Sequence, residues 1–386
     1  MITTDLDKGV SFDRDGTILK NYFNTYKLEN NPESYLIDVT IVDDGPKGSL
    51  TNAVNLFRNI KTLVNADLSN AKFESVISVE NMFRNCANLY SVQNFNTNSV
   101  TSMSGLFFNC QNINNVPNLN TIKVEDMSNM FYNCVNLTSV PNFNTGNVIN
   151  MCYTFENCTN LSAIPNFNTS FVNDLTGVFQ NCTNISSIPN FDTSNVAYMS
   201  SMFDGCTNLT SVPNLNTDNI KSTYGMFAGC SNLMTFPVIN ASNIWSMSAM
   251  YSGCSNLTAI PHMNTMNVSI MSLMFYYCSN LVEAPDLLTN NASEMTEMFA
   301  GCINLVNVPQ YNTDKLSSMD RCFMQCNNLS TASIQNIINM CLNAYVYSGV
   351  KNLSSRNSYS PFYDTTITNT RYSSRLSELT SRGWSY

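Results

Sequence analysis

The sequence predicts an α/β repeat solenoid in which coils of 24 residues stack on one another. Three observations predict it. Cysteine recurs every 24 residues, an aromatic residue stands three positions before each of these cysteines, and an asparagine stands two positions after each. A period held this strictly is typical of repeat units that bury their core only against neighbouring units. The cysteines are Cys86, Cys110, Cys134, Cys158, Cys182, Cys206, Cys230, Cys254, Cys278, Cys302 and Cys326.

Each unit reads M-F-x-x-C-x-N-L-x-x-V-P-x-x-N-T-x-x-V-x-x-M-x-x. The L-x-x-V-P piece predicts a short strand, ending at a proline whose missing N–H does least harm there. The V-x-x-M-x-x-M-F piece has apolar residues at i, i+3, i+6 and i+7, which predicts a short helical or 3₁₀ segment on the opposite flank. The period falls in the leucine-rich-repeat range, so we expect a leucine-rich-repeat-type solenoid over residues 82–331.

Three further segments flank these repeats. Residues 51–81 are predicted to form a degenerate first repeat, because Phe57 precedes Phe83 by 26 residues. Residues 1–50 are richer in charge and include the strand-like YLIDVTIV at 35–42, so we expect a small β-rich element that either caps the solenoid or docks it to a larger assembly. Residues 332–386 are predicted to form a C-terminal cap, with a helix over 333–344 and a terminal segment that buries Leu376, Leu379 and Trp384.

The cysteine and asparagine columns are predicted to be structural. One cysteine per coil is not the paired spacing of a metal site, and stacked thiols are spaced too widely for disulfides, so we expect free, buried side chains. A side-chain amide pairs with both N–H and C=O groups, so we expect a buried asparagine ladder, although some positions also read as glycosylation sequons. The first rungs of the two columns are Cys86, Cys110 and Cys134, and Asn88, Asn112 and Asn136.

The repeats closely resemble the BspA-like leucine-rich repeats, in which MFxxCxxL is followed by (F/N)xTxxVxxM. The match extends throughout residues 82–331. The resemblance implies a right-handed solenoid used for adhesion or recognition, with no catalytic residues to transfer. The final segment, YSSRLSELTSRGWSY, is similar to the terminal segment of repeat proteins carried by phages and prophages, which implies a phage-encoded member of the family.

One short motif near the start suggests a different chemistry. Residues 10–19, VSFDRDGTIL, resemble the first motif of the haloacid-dehalogenase phosphatases, in which Asp13 would be the nucleophile and Asp15 the general acid/base. That fold needs a parallel α/β domain, and too few residues separate Gly16 from the repeats to build one. Asp15-Gly16 also suits a hairpin turn between two apolar strands. We therefore expect a turn, no enzyme activity, and no cofactor or bound metal.

Composition excludes further classes. The chain has 18 Lys+Arg against 27 Asp+Glu, and this acidic balance argues against nucleic-acid binding. No apolar run reaches about 18 residues, so we expect no membrane insertion. The first residues lack the basic and apolar regions of a signal peptide, so we expect a chain that stays in a cytosol, is exported by a non-standard route or is released by lysis. A virion component would be assembled in the host cytoplasm.

Binding is predicted at departures from the repeat consensus between residues 224 and 277. Aromatic side chains there occupy columns that are otherwise mainly small or polar, and exposed Trp and Tyr are typical of glycan stacking or protein hot spots. Scattered surface aromatics without function are the alternative. The candidate residues are Tyr224, Trp245, His262, Tyr276 and Tyr277.

These observations predict a non-enzymatic binding or structural protein. The first hypothesis is a phage virion component, in the tail, the baseplate or on the capsid, that recognises a protein or glycan on a host cell surface. In it, residues 1–50 contact virion structural proteins. The alternative is a bacterial cell-surface leucine-rich-repeat adhesin.

Overall fold

The computed structural model describes residues 2–3, 38–42, 52–71, 73–344, 351–352, 377, 379–381 and 384–385. The chain divides into two compact units. The N-terminal unit consists of Met1–Ile185 and Pro189–Asn195, and the C-terminal unit consists of Ser186–Ile188 and Val196–Tyr386. The DxDGT motif at residues 13–17 lies outside the described residues, as does the predicted turn at that motif.

A four-stranded sheet begins the N-terminal unit. Its strands are β1 (Ile2–Thr3), β2 (Asp38–Val42), β3 (Asn65–Asn70) and β4 (Ser91–Val92), and they lie in this order. Strand β1 is antiparallel to β2, whereas β2 with β3 and β3 with β4 are parallel. Strand β2 falls within the strand-like residues 35–42, and it pairs with the first coil of the repeats.

The coils beyond β4 are joined mainly by single parallel bridges between residues 24 apart, so the repeat fold expected from the sequence is present. One set of bridges lies within the L-x-x-V-P pieces, as between Ser211 and Thr235. A second set precedes the M-F piece, as between Ser102 and Asp126. The predicted strand in every L-x-x-V-P piece is wrong for most coils, because pairing there is limited to at most one bridge.

The predicted helical segment in each coil is also wrong. In the coil that contains Phe131, the N–H groups of Phe131 and Asn133 donate to carbonyls of the following coil at 2.9 and 2.7 Å. The N–H groups of Tyr132 and Cys134 donate to carbonyls three residues back, both at 3.1 Å. Asn129 and Asn133 have φ of +56°. A helix uses its N–H groups internally and excludes positive φ, so this flank is a run of turns bonded to the next coil.

A column of stacked aromatic rings forms the centre of each unit. Neighbouring ring centroids lie 5.2–5.8 Å apart in the N-terminal unit and 5.3–5.9 Å apart in the C-terminal unit, with nearly parallel planes. Every ring in the two columns is at most 1% exposed. The columns consist of Phe57, Phe83, Phe107, Phe131, Phe155 and Phe179, and of Phe203, Phe227, Tyr251, Phe275, Phe299 and Phe323.

The buried cysteines connect neighbouring coils. Cys134 Sγ donates to the carbonyl of Phe107 in the preceding coil at 3.1 Å, and Cys278 Sγ donates in the same way to Tyr251 at 3.1 Å. All fourteen cysteines are free thiols, and thirteen of them are buried. The thiols are therefore more than small hydrophobic side chains, because they complete the hydrogen bonding of a backbone carbonyl. The same 3.0–3.1 Å contact is made by Cys86, Cys110, Cys158, Cys182, Cys230, Cys254, Cys302 and Cys326.

The predicted asparagine ladder exists as side-chain hydrogen bonds, but its predicted burial is wrong. Asn88, Asn112 and Asn136 are exposed. The Asn136 Nδ2 group donates to Asn112 Oδ1 at 3.0 Å, and Asn112 Nδ2 contacts Asn88 Oδ1 at 3.5 Å. Each of these amides bonds its counterpart in the preceding coil instead of a buried turn. A glycan at these positions would therefore not have to enter the core.

A second asparagine column, which the sequence analysis missed, lies one residue before the cysteines. Asn133 Nδ2 donates to Asn109 Oδ1 at 2.6 Å, and Asn109 Nδ2 donates to Asn85 Oδ1 at 3.1 Å. These residues have φ near +60°, a region that asparagine adopts more readily than most residues. In the C-terminal unit the same column becomes mostly glycine, as at Gly205 and Gly229, which serves the same backbone conformation.

The last coil is covered by helix α1 (Thr331–Asn343). Ser330 caps its first turn, and Ser333 Oγ lies 2.8 Å from both the Val306 carbonyl and the Val308 N–H. Thr313 Oγ1 donates to the Met340 carbonyl at 2.7 Å. Polar groups at the edge of the final coil thus find partners on the helix.

Beyond the helix, β5 (Lys351–Asn352) pairs in parallel with β6 (Trp384–Ser385). Residues 377 and 379–381 are helical, and Leu379 is buried. Leu376 lies outside the described residues. No helix in the described ranges is long and apolar enough to cross a membrane.

Candidate binding surface

The five residues predicted for binding all lie in the C-terminal unit. Tyr224, Trp245 and Tyr277 are 54%, 50% and 44% exposed, His262 is exposed, and Tyr276 is half-buried. Tyr224 and Trp245 stand on different columns of the turn flank. Among these five side chains, the only ring contact is between Tyr276 and Tyr277. The structure therefore does not bring the set together as one site.

Tyr276 and Tyr277 form a local aromatic pair. Their ring centroids lie 4.5 Å apart at an interplanar angle of 75°, an edge-to-face arrangement that aromatic rings favour. Burial and the neighbouring Tyr277 raise the pKa of the Tyr276 hydroxyl. Tyr277 has φ of +55°, because it occupies the column that is glycine in the coils on either side. The pair presents one exposed ring on a strained backbone position.

The described side chains form no cluster that could hold a metal ion. Among residues 52–71, 73–344 and the short described segments, no three His, Cys, Asp or Glu side chains group as a metal site requires. The buried thiols have raised pKa values because burial disfavours the thiolate, as for Cys86 and Cys158, both at about 12. Thiols held neutral in this way are poor nucleophiles. These columns stabilise the fold.

A depression of about 560 Å³ on the L-x-x-V-P face of the N-terminal unit escaped the sequence analysis. We call it the Tyr90 depression. Tyr90 is 52% exposed, and its N–H donates to the Val64 carbonyl at 2.7 Å, which fixes the base of the side chain. The signal in the sequence was a large aromatic in a column that holds mostly small residues in later coils. Its lining residues are Val64, Asn88, Tyr90, Asn112, Asn114 and Asn136.

Two further depressions carry exposed apolar side chains. In the N-terminal unit, a depression of about 410 Å³ includes the exposed Ile149 and Phe171 together with Lys123 and Glu125. In the C-terminal unit, one of about 510 Å³ includes Val282, which is also exposed. Each of the three depressions therefore offers at least one large hydrophobic side chain to a partner.

Comparison with protein families places the repeats. The model of a family described as "Mycoplasma protein of unknown function, DUF285" matches residues 51–164, 150–259 and 233–337. The chain belongs to the DUF285 family. The matched ranges begin at residue 51 and end within helix α1, and they indicate no enzymatic family.

Several solved structures are similar to this DUF285 chain. A leucine-rich cell surface protein from Faecalibacterium prausnitzii is 19% identical, with a TM-score of 0.43, covering 73% of this chain and 80% of that one. A leucine-rich repeat protein from Bacteroides ovatus is 17% identical, with a TM-score of 0.36 and coverages of 76% and 85%. One from Eubacterium ventriosum is 14% identical, with a TM-score of 0.36 and coverages of 72% and 86%. No curated protein matches the chain.

Proposed function

We propose that the chain is a non-enzymatic binding protein that uses its repeat array for adhesion or recognition at a bacterial cell surface. One observation carries the proposal: each surface depression is lined by exposed large hydrophobic side chains, such as Tyr90, Phe171 and Val282. Exposed apolar groups bordered by polar residues are typical of interaction sites. The BspA-like repeat motif adds support, since that resemblance implies adhesion.

The proposed partner is a protein or glycan on a host cell surface. The depressions are open, and the residues around them are mostly neutral, so such a surface suits hydrogen-bonding partners better than highly charged ones. The aromatic residues Tyr224, Trp245 and Tyr277 remain candidates as separate contacts, with the half-buried Tyr276 beside Tyr277 and the exposed His262 on its own.

Residues 1–50 are proposed to act as a cap. Strand β2 (Asp38–Val42) lies in this segment and pairs in parallel with β3, so it occupies the edge that the first coil would otherwise expose. In the C-terminal unit, helix α1 covers the edge of the last coil. A docking role for 1–50 would be in addition to this pairing.

A phage virion component is the second candidate. It is favoured by the resemblance of the terminal segment to phage repeat proteins and by the fourteen free thiols, which suit a reducing compartment. The family match names Mycoplasma and gives this candidate no support. We therefore rank the cell-surface role first.

Protease treatment of intact cells tests the proposal. Cells of the source organism are exposed to trypsin, and the released peptides are identified by mass spectrometry together with those of a cytosolic enzyme as control. We expect peptides of residues 51–337 without peptides of the control enzyme. Recovery of the chain only after lysis, or in purified phage particles, would overturn the cell-surface assignment, and the second result would establish the virion role.

A further inference from the structure

We propose that the Tyr90 depression binds a neutral oligosaccharide. The inference rests on the proposed function, because it names the chemical class of the surface partner. The depression combines one exposed aromatic ring with four carboxamide side chains on adjacent coils of the N-terminal unit. Its volume of about 560 Å³ lies within the range of small-ligand sites.

The ring supplies an apolar platform. Tyr90 is 52% exposed, and its backbone is held from both sides, by its own N–H to Val64 and by its carbonyl, which accepts from Asn114 N–H at 3.3 Å. The side chain therefore presents its ring from a fixed base. Aromatic rings of this kind offer an apolar body with a polar tip, and sugar rings have apolar C–H faces that pack on such a surface.

The amides supply oriented hydrogen-bonding groups. Asn136 donates to Asn112, Asn112 contacts Asn88, and the Thr138 hydroxyl donates to Asn114 Oδ1 at 3.2 Å. A carboxamide has two N–H donors and two acceptor lone pairs, and the ladder uses at most one of each kind. The remaining groups face solvent in a row spaced by roughly 4.8 Å, the separation of stacked strands. Such a row can donate to and accept from successive hydroxyl groups.

Because the lining carries no charged side chain, we expect an uncharged ligand. None of the six lining residues is charged at neutral pH, so nothing in this depression recognises a carboxylate, a phosphate or a sulfate. The other depression of the N-terminal unit described above, by contrast, contains Lys123 and Glu125. Binding at the Tyr90 depression is therefore expected to be independent of salt concentration and of pH between about 5 and 8, because surface charges are what salt screens.

The experiment uses the full chain on an immobilised array of neutral oligosaccharides that includes cellohexaose, chitohexaose, galactan and mannan fragments, with sialylated and sulfated glycans as charged counterparts. Four proteins are compared: the unchanged chain, Tyr90→Ala, Tyr90→Phe and Tyr198→Ala. Tyr198 is the matched control, because it is 59% exposed on a different column. Circular dichroism checks that all four are folded.

We expect the chain to retain at least one neutral oligosaccharide, and we expect this retention to be unchanged between about 50 and about 500 mM salt. Tyr90→Ala should reduce retention about tenfold or more, because stacking of a ring on an aromatic side chain contributes about 1–3 kcal/mol. Tyr90→Phe and Tyr198→Ala should change retention by less than about twofold. An Asn114→Asp variant, which keeps the shape but replaces donors by a charge, should also lose retention.

Adhesion of the same four proteins to cultured cells separates the two proposals. Adhesion that does not depend on Tyr90, with no neutral glycan retained, overturns the inference and leaves the adhesive function standing. Glycan retention without cell adhesion supports the inference and removes the adhesive function. Tyr90-dependent adhesion that is abolished by protease treatment of the cells and unaffected by glycosidases overturns the inference in favour of a protein partner.

Discussion

Alkaline pH should unfold this protein through its buried thiols. Thirteen of the fourteen cysteines are buried, and burial raises the pKa of at least eleven of these thiols, to about 12 for Cys86, Cys158 and Cys302. In the unfolded chain the same thiols ionise near pH 9, the ordinary range for cysteine. A pKa raised by folding contributes stability that is fully present below the unfolded value. That stability is lost as pH rises from about 9 towards the folded value of about 12.

The magnitude follows from the number of thiols. Relative to pH 8, ionisation of each such thiol in the unfolded chain lowers the free energy of unfolding by a fraction of 1 kcal/mol at pH 9 and by about 1 kcal/mol at pH 10. Eleven such thiols together remove a few kcal/mol at pH 9 and on the order of 10 kcal/mol at pH 10. A typical domain is stable by only about 5–15 kcal/mol. We therefore expect cooperative loss of structure between pH 9 and pH 10.

Urea unfolding followed by circular dichroism, at half-unit steps from pH 7.5 to 10 in a phosphine reductant, measures this dependence. Cys158→Ser is the control variant, because serine can donate to the same Phe131 carbonyl and does not ionise. Whatever its absolute stability, the slope of its free energy of unfolding between pH 9 and pH 10 should be shallower by about 1 kcal/mol per pH unit. A free energy of unfolding that stays constant from pH 8 to pH 10 would refute the reasoning.

Three further predictions concern single positions. Cys152 is the one cysteine that is not fully buried, and its pKa is raised to about 11. Iodoacetamide at pH 8 should therefore label Cys152 alone, and about 100-fold more slowly than an ordinary thiol. Peptide mapping measures both the site and the rate. Tyr251 has a buried hydroxyl without a hydrogen-bond partner among the described residues. Tyr251→Phe should therefore stabilise the C-terminal unit by about 1–2 kcal/mol in thermal unfolding, whereas Phe275→Tyr should destabilise it. Gly105 has φ of +60°, and a Cβ there would lie 2.5 Å from the side-chain oxygen of Asn81, so Gly105→Ala should lower the free energy of unfolding by about 1–2 kcal/mol. Gly146 has no positive φ, so the control Gly146→Ala should change it by less than about 0.5 kcal/mol.

The sequence was sufficient to predict the repeat and the composition of its core. Phe131 and Cys134 are buried, as apolar residue types repeated at the same position of every coil predict. The flank was predicted wrongly because three-residue spacing of Val124, Met127 and Met130 arises equally from helical turns and from consecutive β-turns. The discriminating signal was asparagine at 129, which favours positive φ and so argues against a helix.

Surface features were harder to predict than the core. A constant asparagine at 88 and 112 was equally consistent with a buried turn and with an exposed ladder, since both satisfy the amide through regular stacking. Tyr90 was missed because its column was judged from later coils, such as Ser162, where the side chains are small. Recognition surfaces depend on residues that differ between coils, and no periodicity reports on them.

The alternation of N–H groups between the coil itself and the next coil has a mechanical consequence. Phe131 and Asn133 both direct their N–H groups along the stacking direction, so a force applied along that direction loads a few hydrogen bonds at a time. One coil detaches before the next is strained. Each detachment releases 24 residues, or about 80 Å of extended chain. Under tension the array is expected to lengthen in discrete steps, and each step dissipates mechanical work.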